Sequence, residues 1–316
     1  MSRNQGRLLL AFGLVLGSMP SIHGQDSEQL IARKAIPTSR LAIRDNDVTA
    51  IKPKAAPVSI HHWDQTWNGW SVSESTHFRI FHQDSPRLAE KVARIAEETR
   101  DTVQQKWFGK NSPWNSRCEI FLYPSAEDYS WATGAAPVSP GHSSFRVDHG
   151  RVYYRRIDLR CDDSRLLRAV LPHETTHTVL AGMFGDQQVP RWVDEGIAVL
   201  SEPPDMIRRH LVSLPQWQRN GMLFSSREIM EAHDYPDPRG VAMFYAQSVS
   251  LVQFLSQRDP QQFVRFVRYG LQQGFEKALT DYYNWDYDQL EDHWEQFALV
   301  PMPNPDTAHA GLSTTH

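Results

Sequence analysis

Two short runs constrain this chain more than any other feature: Leu171–His177, with the pattern His-Glu-x-x-His, and Trp192–Gly196, which places a glutamate among apolar residues. On a helix, His173 and His177 are four residues apart and therefore project from one face, one turn apart. Two imidazoles in this arrangement can bind one metal ion. The first run thus predicts a helix whose polar face is turned toward an element that supplies a further ligand.

The residues around the first run favour a helix that packs against a core. Val179 and Leu180 continue the apolar positions at helical spacing, and Gly185 follows as a C-cap. Pro172 precedes the first histidine and leaves two alternatives: it kinks a longer helix, or it lies in the first turn of a helix that restarts there. In both cases His173 is helical.

Glu195 in the second run is the candidate third ligand, because the intervening chain can end one helix and bring a second alongside. Two histidines and one glutamate with an open fourth position are a ligand set of hydrolytic zinc. Glu174 lies about 100° around the helix from His173. It is too close in sequence to be a comfortable ligand, but it is well placed to hold the attacking water. The residues predict zinc bound by His173, His177 and Glu195.

Together the runs resemble the gluzincin metallopeptidases: His173-Glu174-x-x-His177 is followed by Trp192-x-x-Glu195-Gly196-x-Ala198. The resemblance is closest to the exported peptidase MA-like family and more distant to the aminopeptidase N-like enzymes. It extends from about residue 70 to about residue 297. It implies an α+β, zincin-like fold: a small mixed β-sheet with helices, followed by a mainly helical C-terminal lobe. It also implies hydrolysis of peptide or protein substrates with bound zinc.

The resemblance assigns roles to individual residues. His173, His177 and Glu195 would be the zinc ligands, Glu174 the general base, and Tyr245 the residue that steadies the oxyanion. One position departs from the pattern: several gluzincins carry an acidic residue four positions after the glutamate ligand, where this chain has Val199. That acid orients a ligating histidine, so Asp194 or Glu202 is expected to serve instead.

Two other classes of function compete with a peptidase. One is a non-catalytic binding or scaffold module that keeps a zinc site; the presence of Glu174 argues against it, because a structural site needs no base and usually closes its fourth position. The other is a zinc amidase acting on non-peptide or cell-wall amides. The Gly-rich exopeptidase motif of aminopeptidase N-like enzymes is not found ahead of residue 173, which favours an endopeptidase.

The formal net charge of −4 over 316 residues argues against a general nucleic-acid binder. Arginines are concentrated in one segment, which contains Arg146, Arg151, Arg155, Arg156 and Arg160. We interpret this segment as a solvated strand face in preference to a contact for an anionic substrate. The sequence carries no signal for the oligomeric state.

The first 24 residues have the pattern of a signal peptide. Arg3 and Arg7 precede an apolar run over residues 8–17, which is shorter than the roughly 20 residues of a membrane-spanning helix. We therefore expect an exported protein, periplasmic or secreted, with no stable membrane insertion after cleavage. Ile22 is not small, so cleavage itself stays open. Residues 25–60 resemble a linker or a pro-like segment.

The rest of the chain divides into an N-terminal α/β part (61–165), a zinc-binding and helical part (166–300) and a disordered tail (301–316). Strands are predicted at 77–81 and 118–123, with a hairpin over 143–159 that turns at 148–150. By the resemblance, residues 152–157 would be the sheet edge that takes substrate by strand addition. Cys118 and Cys161 could form a disulfide or remain two buried thiols.

Overall fold

The computed structural model describes residues 7–11, 58–63, 69–83, 85–185 and 187–299. Within these ranges the strands come first and form one sheet, and every regular element after residue 165 is helical. The predicted α+β fold with a helical C-terminal region is confirmed. None of the described helices is both long enough and apolar enough to span a membrane.

The described strands are β1 (Arg7–Ala11), β2 (His61–Trp63), β3 (Ser71–Glu74), β4 (Phe78–His82), β5 (Cys118–Tyr123), β6 (Gly141–Asp148) and β7 (Arg151–Arg160). Two helices belong to the sheet region, α1 (Pro86–Phe108) and α2 (Ala126–Thr133). A π-helical turn (Leu166–Val170) then leads into α3 (Leu171–Phe184), α4 (Arg191–Val199), α5 (Pro204–Leu211), α6 (Leu214–Arg219), α7 (Ser226–Glu231), α8 (Val241–Ser256), α9 (Pro260–Gln273), α10 (Phe275–Tyr283) and α11 (Tyr287–Ala298).

The sheet is mixed, with the strand order β1-β6-β7-β5-β4-β3-β2. The neighbours β4, β5 and β7 run parallel, and the other neighbouring pairs run antiparallel. β6 and β7 form the predicted hairpin. Its loop residues His149 and Gly150 have φ values of 47° and 74°, and a two-residue type I′ turn requires positive φ at both positions.

One face of the sheet packs against α1 and α3. Burial alternates along β4 and β5, so every second side chain points into this layer. The buried apolar cluster is made of Phe78, Ile80, Ala89, Val92, Ala93, Ala96, Cys118, Ile120, Leu122, Ile157, Leu159, Leu166, Val170 and Leu171. Because the start of α3 contributes to this cluster, the His-Glu-x-x-His helix is fixed against the sheet.

A second hydrophobic core joins the C-terminal helices. Trp192 of α4 packs edge to face on Phe263 of α9, with ring centroids 5.8 Å apart. Trp107 of α1 reaches the same Phe263 ring at 5.9 Å. Helix α1 therefore contributes to both cores and ties α4 to the sheet layer.

The prediction that residues 152–157 form the sheet edge is wrong, because β7 is an inner strand of the sheet. β7 pairs with β6 over residues 151–159 and with β5 from Arg155 onward, so residues 152–154 extend past the end of β5. β6 is the outer strand of the hairpin, and β1 pairs antiparallel with it. Alternation of apolar and polar residues identifies a strand but does not show how many neighbours the strand has.

The interpretation of the arginine segment as a solvated strand face holds for Arg146 and Arg151, which are exposed. It is wrong for Arg155, because neighbouring strand residues point to opposite faces. Arg155 is only 4% exposed; its Nε donates to the Thr178 carbonyl at 3.3 Å and its guanidinium lies over Trp114. Arg156 points to the other face, where Asp158 accepts from its Nε at 2.8 Å.

Cys118 and Cys161 do not form a disulfide with each other. Cys118 begins β5, whereas the Cys161 amide donates to Tyr123 at the other end of that strand. The two positions are therefore separated by the length of β5, about 16 Å at 3.3 Å per residue. Disulfides need Cα atoms about 4.4–6.8 Å apart. Burial raises the pKa of the Cys118 thiol. Cys161 is only partly buried, so the alternative of two buried thiols holds for Cys118 alone.

Several sequence predictions lie outside the described residues. Of the predicted signal at 1–24, only Arg7–Ala11 is described, as strand β1. Residues 25–57 and the tail at 301–316 are outside the described ranges. The division at 165/166 and the signal peptide remain predictions.

Candidate metal centre

The π-helical turn Leu166–Val170 runs directly into α3, because Val170 (φ −61°, ψ −48°) and Leu171 (φ −63°, ψ −47°) both have helical backbone angles. Pro172 therefore lies inside a longer helical segment, as the first alternative predicts. The π-helical turn is the local irregularity of that helix beside the proline, which cannot donate a backbone hydrogen bond. Gly185 ends the helix as predicted, with φ 63° and its amide on the Ala181 carbonyl.

The three predicted ligands converge. His173 and His177 lie side by side on α3, with ring centroids 4.9 Å apart. Their Nε2 atoms are 3.5 and 3.8 Å from Oε2 of Glu195 on α4, because α3 and α4 pack against each other. These three residues form a group that could hold a metal ion, and all are buried.

The donor atoms fit a metal. Two atoms about 2.0–2.1 Å from a tetrahedral zinc are about 3.3 Å from each other, close to the separations seen here. Nε2 of His173, Nε2 of His177 and Oε2 of Glu195 are buried and have no hydrogen-bond partner among the described residues. Such atoms are rare in folded proteins. Three that face one point indicate a metal-binding role.

The charges around the site support the same conclusion. Glu174, Asp194, Glu195 and Glu202 are 0, 7, 0 and 5% exposed. Asp194, Glu195 and Glu202 form ion pairs with histidines. Among the described residues none of the four carboxylates pairs with lysine or arginine. Burial alone would lower the pKa of His173, but Glu195 and Glu202 outweigh it and raise that pKa well above its usual value. The surroundings therefore stabilise a positive charge, which a divalent cation would supply.

Each histidine is oriented by its own carboxylate. His173 Nδ1 donates to Glu202 Oε1 at 2.9 Å, and His177 Nδ1 donates to Asp194 Oδ1 at 2.8 Å. A proton on Nδ1 leaves the lone pair of Nε2 directed at the shared point. Both residues considered as substitutes for an acid at Val199 are thus used, one for each ring.

Tyr235 is a site residue that the sequence analysis missed. Its hydroxyl donates to Oε1 of Glu195, the oxygen turned away from the histidines. Burial and the Glu195 carboxylate raise the pKa of this hydroxyl, so it stays protonated as a donor. The residue lies in the loop between α7 and α8, in a run of Pro and Asp with no recognised motif. Nothing in its spacing could have marked it.

Tyr245, the predicted oxyanion residue, lies next to Tyr235. The two rings stack with centroids 6.1 Å apart and planes inclined by 9°. Tyr245 is 1% exposed and belongs to the C-terminal core. Its catalytic role stays a prediction. One of its contacts is the stacking on Tyr235, the residue whose hydroxyl touches Glu195.

Glu174 has the burial expected of a proton carrier. It is fully buried on α3, and neither carboxylate oxygen has a hydrogen-bond partner among the described residues. Burial raises the pKa of this carboxyl above its usual value. A carboxylate with a raised pKa takes up a proton more readily near neutral pH, which general-base chemistry uses.

Residues 157–300 match the model of a family described as the Peptidase MA superfamily. The matched segment contains α3, α4 and the Tyr235 loop, and hence all the site residues described above. The match supports a zincin-like peptidase family and a metallopeptidase-like function. No curated protein matches the chain.

Gly196, directly after the candidate ligand Glu195, has a packing role that leads to a first prediction. A Cβ there would lie 2.5 Å from Val252 Cγ2 and 2.8 Å from the Ser248 carbonyl on α8. We expect Gly196→Ala to lower the free energy of unfolding by about 1–3 kcal/mol, because α4 and α8 must separate. Urea unfolding measures this. The exposed change Gln272→Ala should stay within about 0.5 kcal/mol, and an equally small effect at Gly196 would contradict the prediction.

Glu202 tests the role of the outer carboxylates. Glu202→Gln keeps an oxygen for the His173 Nδ1–H but removes the negative charge, so we expect metal affinity to fall about 10- to 100-fold. Competition with a chromophoric chelator measures the affinity. Glu127→Gln, the same change at an exposed position on α2, is the control and should leave it unchanged. Equal metal affinities of the Glu202→Gln and control variants would show that the charge of Glu202 does not contribute to metal binding.

Proposed function

We propose that this protein is a zinc-dependent peptidase in which His173, His177 and Glu195 hold the zinc and Glu174 is the general base. The observation that carries this proposal is the convergence of three buried ligand atoms that lack any other partner. Two of them are on α3, the helix that also carries the buried Glu174. Zinc at this position would supply Lewis acidity toward a peptide carbonyl and would lower the pKa of water.

The chain's own residues account for the remaining chemistry. Glu174 accepts a proton from the attacking water and delivers it to the leaving amine. Glu202 and Asp194 keep the two imidazole rings in the orientation that directs both Nε2 atoms at one point. Tyr235 fixes the rotation of Glu195 through Oε1. The site is therefore oriented before substrate arrives, which reduces the reorganisation needed during reaction.

We further propose that the protein is exported, periplasmic or secreted, and that loss of residues 1–24 accompanies export. That loss would remove β1 and leave β6 as the outer strand, with its backbone groups available to an extended peptide. β6 packs directly against α3. A peptide bound along β6 would therefore lie beside the helix that carries Glu174. Because no Gly-rich exopeptidase motif precedes residue 173, we assign internal bonds as the target.

The experiment that tests the function is digestion of a diverse peptide library by zinc-loaded protein lacking residues 1–24. The same preparation with Glu174→Gln is the matched control, and mass spectrometry identifies the cuts. Cuts made only by the unmutated protein support a peptidase, and their positions separate internal from terminal cleavage. A folded, zinc-bound sample that makes no cuts contradicts it and leaves a binding module or an amidase for non-peptide substrates.

Two tyrosine variants lead to a prediction about the oxyanion role. We expect Tyr235→Phe to weaken zinc binding about tenfold, because it leaves a buried carboxylate oxygen without its donor. Tyr245→Phe should leave zinc affinity unchanged, so any loss of kcat that it causes would reflect chemistry. Chelator competition and steady-state kinetics measure the two effects separately. Unchanged zinc affinity in Tyr235→Phe would show that its hydroxyl does not position Glu195.

A further inference from the structure

A positively charged side chain lies beside the metal centre and takes no part in the chemistry described so far. Arg191 is the first residue of α4, one turn before Glu195, so both project from the same helix face. Its guanidinium lies 5.0 Å above the ring of Tyr235, and the Tyr235 hydroxyl contacts Glu195. Arg191 is therefore separated from the ligand shell by a single aromatic ring.

Within the described part of the chain, Arg191 forms no ion pair with a carboxylate. Arginines elsewhere in the fold do so: Arg156 pairs with Asp158 at 2.8 Å, and Arg165 pairs with Asp163 at 2.7 Å. The nearest carboxylates to Arg191 along α4 are Asp194 and Glu195, and these are already bonded to His177 and Tyr235. The charge of Arg191 thus has no counter-ion of its own in the site.

One donor of the Arg191 guanidinium also lacks a hydrogen-bond partner among the described residues. Its Nε is buried and has no acceptor among the described residues. Arg191 and Tyr235 are each only partly buried, whereas the ligands Glu195, His173 and His177 are 0–2% exposed. Arg191 and Tyr235 therefore lie on the solvent-facing side of these buried residues.

We propose that Arg191 binds a carboxylate of the substrate within one or two residues of the bond that is cut. A guanidinium presents N–H groups of its two Nη atoms as a fork that matches the two oxygens of a carboxylate. Residues of an extended peptide are about 3.3–3.6 Å apart, and one turn of α4 spans about 5.4 Å, so one or two residues bridge the distance. The carboxylate is an acidic side chain or the C-terminus. This inference rests on the proposed peptidase function.

Binding can be measured without cleavage by using zinc-loaded protein that carries Glu174→Gln. The probes are three fluorescent peptides of one sequence: an amidated peptide with Gln next to the target bond, the same peptide with Glu, and the Gln peptide with a free C-terminus. We expect one of the two acidic probes to bind about tenfold tighter than the neutral probe, as a charge-assisted pair gives. The probe that gains identifies the source of the carboxylate.

Variants of Arg191 then test whether this residue causes the preference for an acidic probe. Adding Arg191→Gln should abolish the difference between acidic and neutral probes, and Arg191→Lys, which keeps the charge but loses the fork, should retain part of it. Arg227→Gln is the matched control, because Arg227 also lies over a tyrosine, Tyr287, at 4.1 Å. Thermal unfolding checks that each variant is folded. If Arg191→Gln does not fold, the Lys variant and the three-probe comparison still decide.

Equal binding of all three probes to the Glu174→Gln protein would overturn the proposal. So would an equal loss for all probes in Arg191→Gln, which would mean that Arg191 acts only by supporting Tyr235. These results are independent of catalysis. An acidic preference can appear in a protein that cuts nothing, and peptide cleavage can occur without any acidic preference, so failure of this proposal and failure of the peptidase function are distinguished.

Discussion

Replacing His173 with alanine is expected to abolish both zinc binding and peptide cleavage. The change removes one of three ligand atoms that all lie within 4.8 Å of one another. It also leaves Glu202 buried without the imidazole that donates to it. Each loss disfavours the metal: the first removes a bond to it, and the second leaves an uncompensated charge that distorts the site. We expect zinc affinity to fall by more than the roughly 100-fold attributed to an outer-shell change.

Elemental analysis after gel filtration and chelator competition measure the zinc content and affinity. His149→Ala is a suitable control, because His149 is a 79% exposed histidine at the β6–β7 turn. Chelation of zinc from the unmutated protein should lower its thermal midpoint, since a ligand that binds only the folded state stabilises it. In His173→Ala the chelator should have no such effect. A variant that still binds one zinc per chain with unchanged affinity would contradict the assigned ligand set.

The parts of the site that sequence could predict are local. His173, Glu174 and His177 share one helix, so their geometry follows from the helical repeat alone. Glu195 was predictable because it sits in a second recognisable run. Tyr235 was not, since only tertiary packing between its loop and α4 brings it to Glu195.

The fold shows the same division between local and long-range information. The β6–β7 hairpin could be predicted from its turn residues, and β5 from its apolar alternation. The inner position of β7 depends on which strands pair across the sheet, which alternation does not specify. The separation of Cys118 from Cys161 likewise follows from the parallel register of β5 and β7, which no spacing of the two cysteines reveals.

Two outer carboxylates compensate for the absence of an acidic residue at position 199, where this chain has Val199. A carboxylate at that position would orient one histidine. In this chain Glu202, beyond the end of α4, orients His173 and Asp194 orients His177. Both rings have a charged acceptor, so the function of the absent acid is carried by two residues that sequence analysis could only offer as alternatives.

Replacing Glu174 with glutamine is expected to remove turnover while leaving zinc in place. The amide cannot accept the proton of the attacking water, and general acid–base groups contribute about 10²- to 10⁴-fold to a rate. The three ligand atoms are on other side chains, so zinc affinity should stay within a few fold. In the metal-free protein the variant should also be more stable, because the ionised Glu174 is buried with both oxygens unpaired and a neutral amide costs less to bury.

Steady-state kinetics on a peptide found in the library, zinc analysis and urea unfolding of the metal-free proteins test the three parts separately. Glu127→Gln, an exposed carboxylate on α2, is the control and should change none of them. Retained turnover would remove Glu174 from the role of general base. Loss of zinc together with turnover would instead make Glu174 part of the ligand set. If the metal-free variant is less stable than the unmutated protein, the buried carboxylate has a favourable interaction in the folded state. The loss of that interaction would then cost more free energy than removing the buried charge gains.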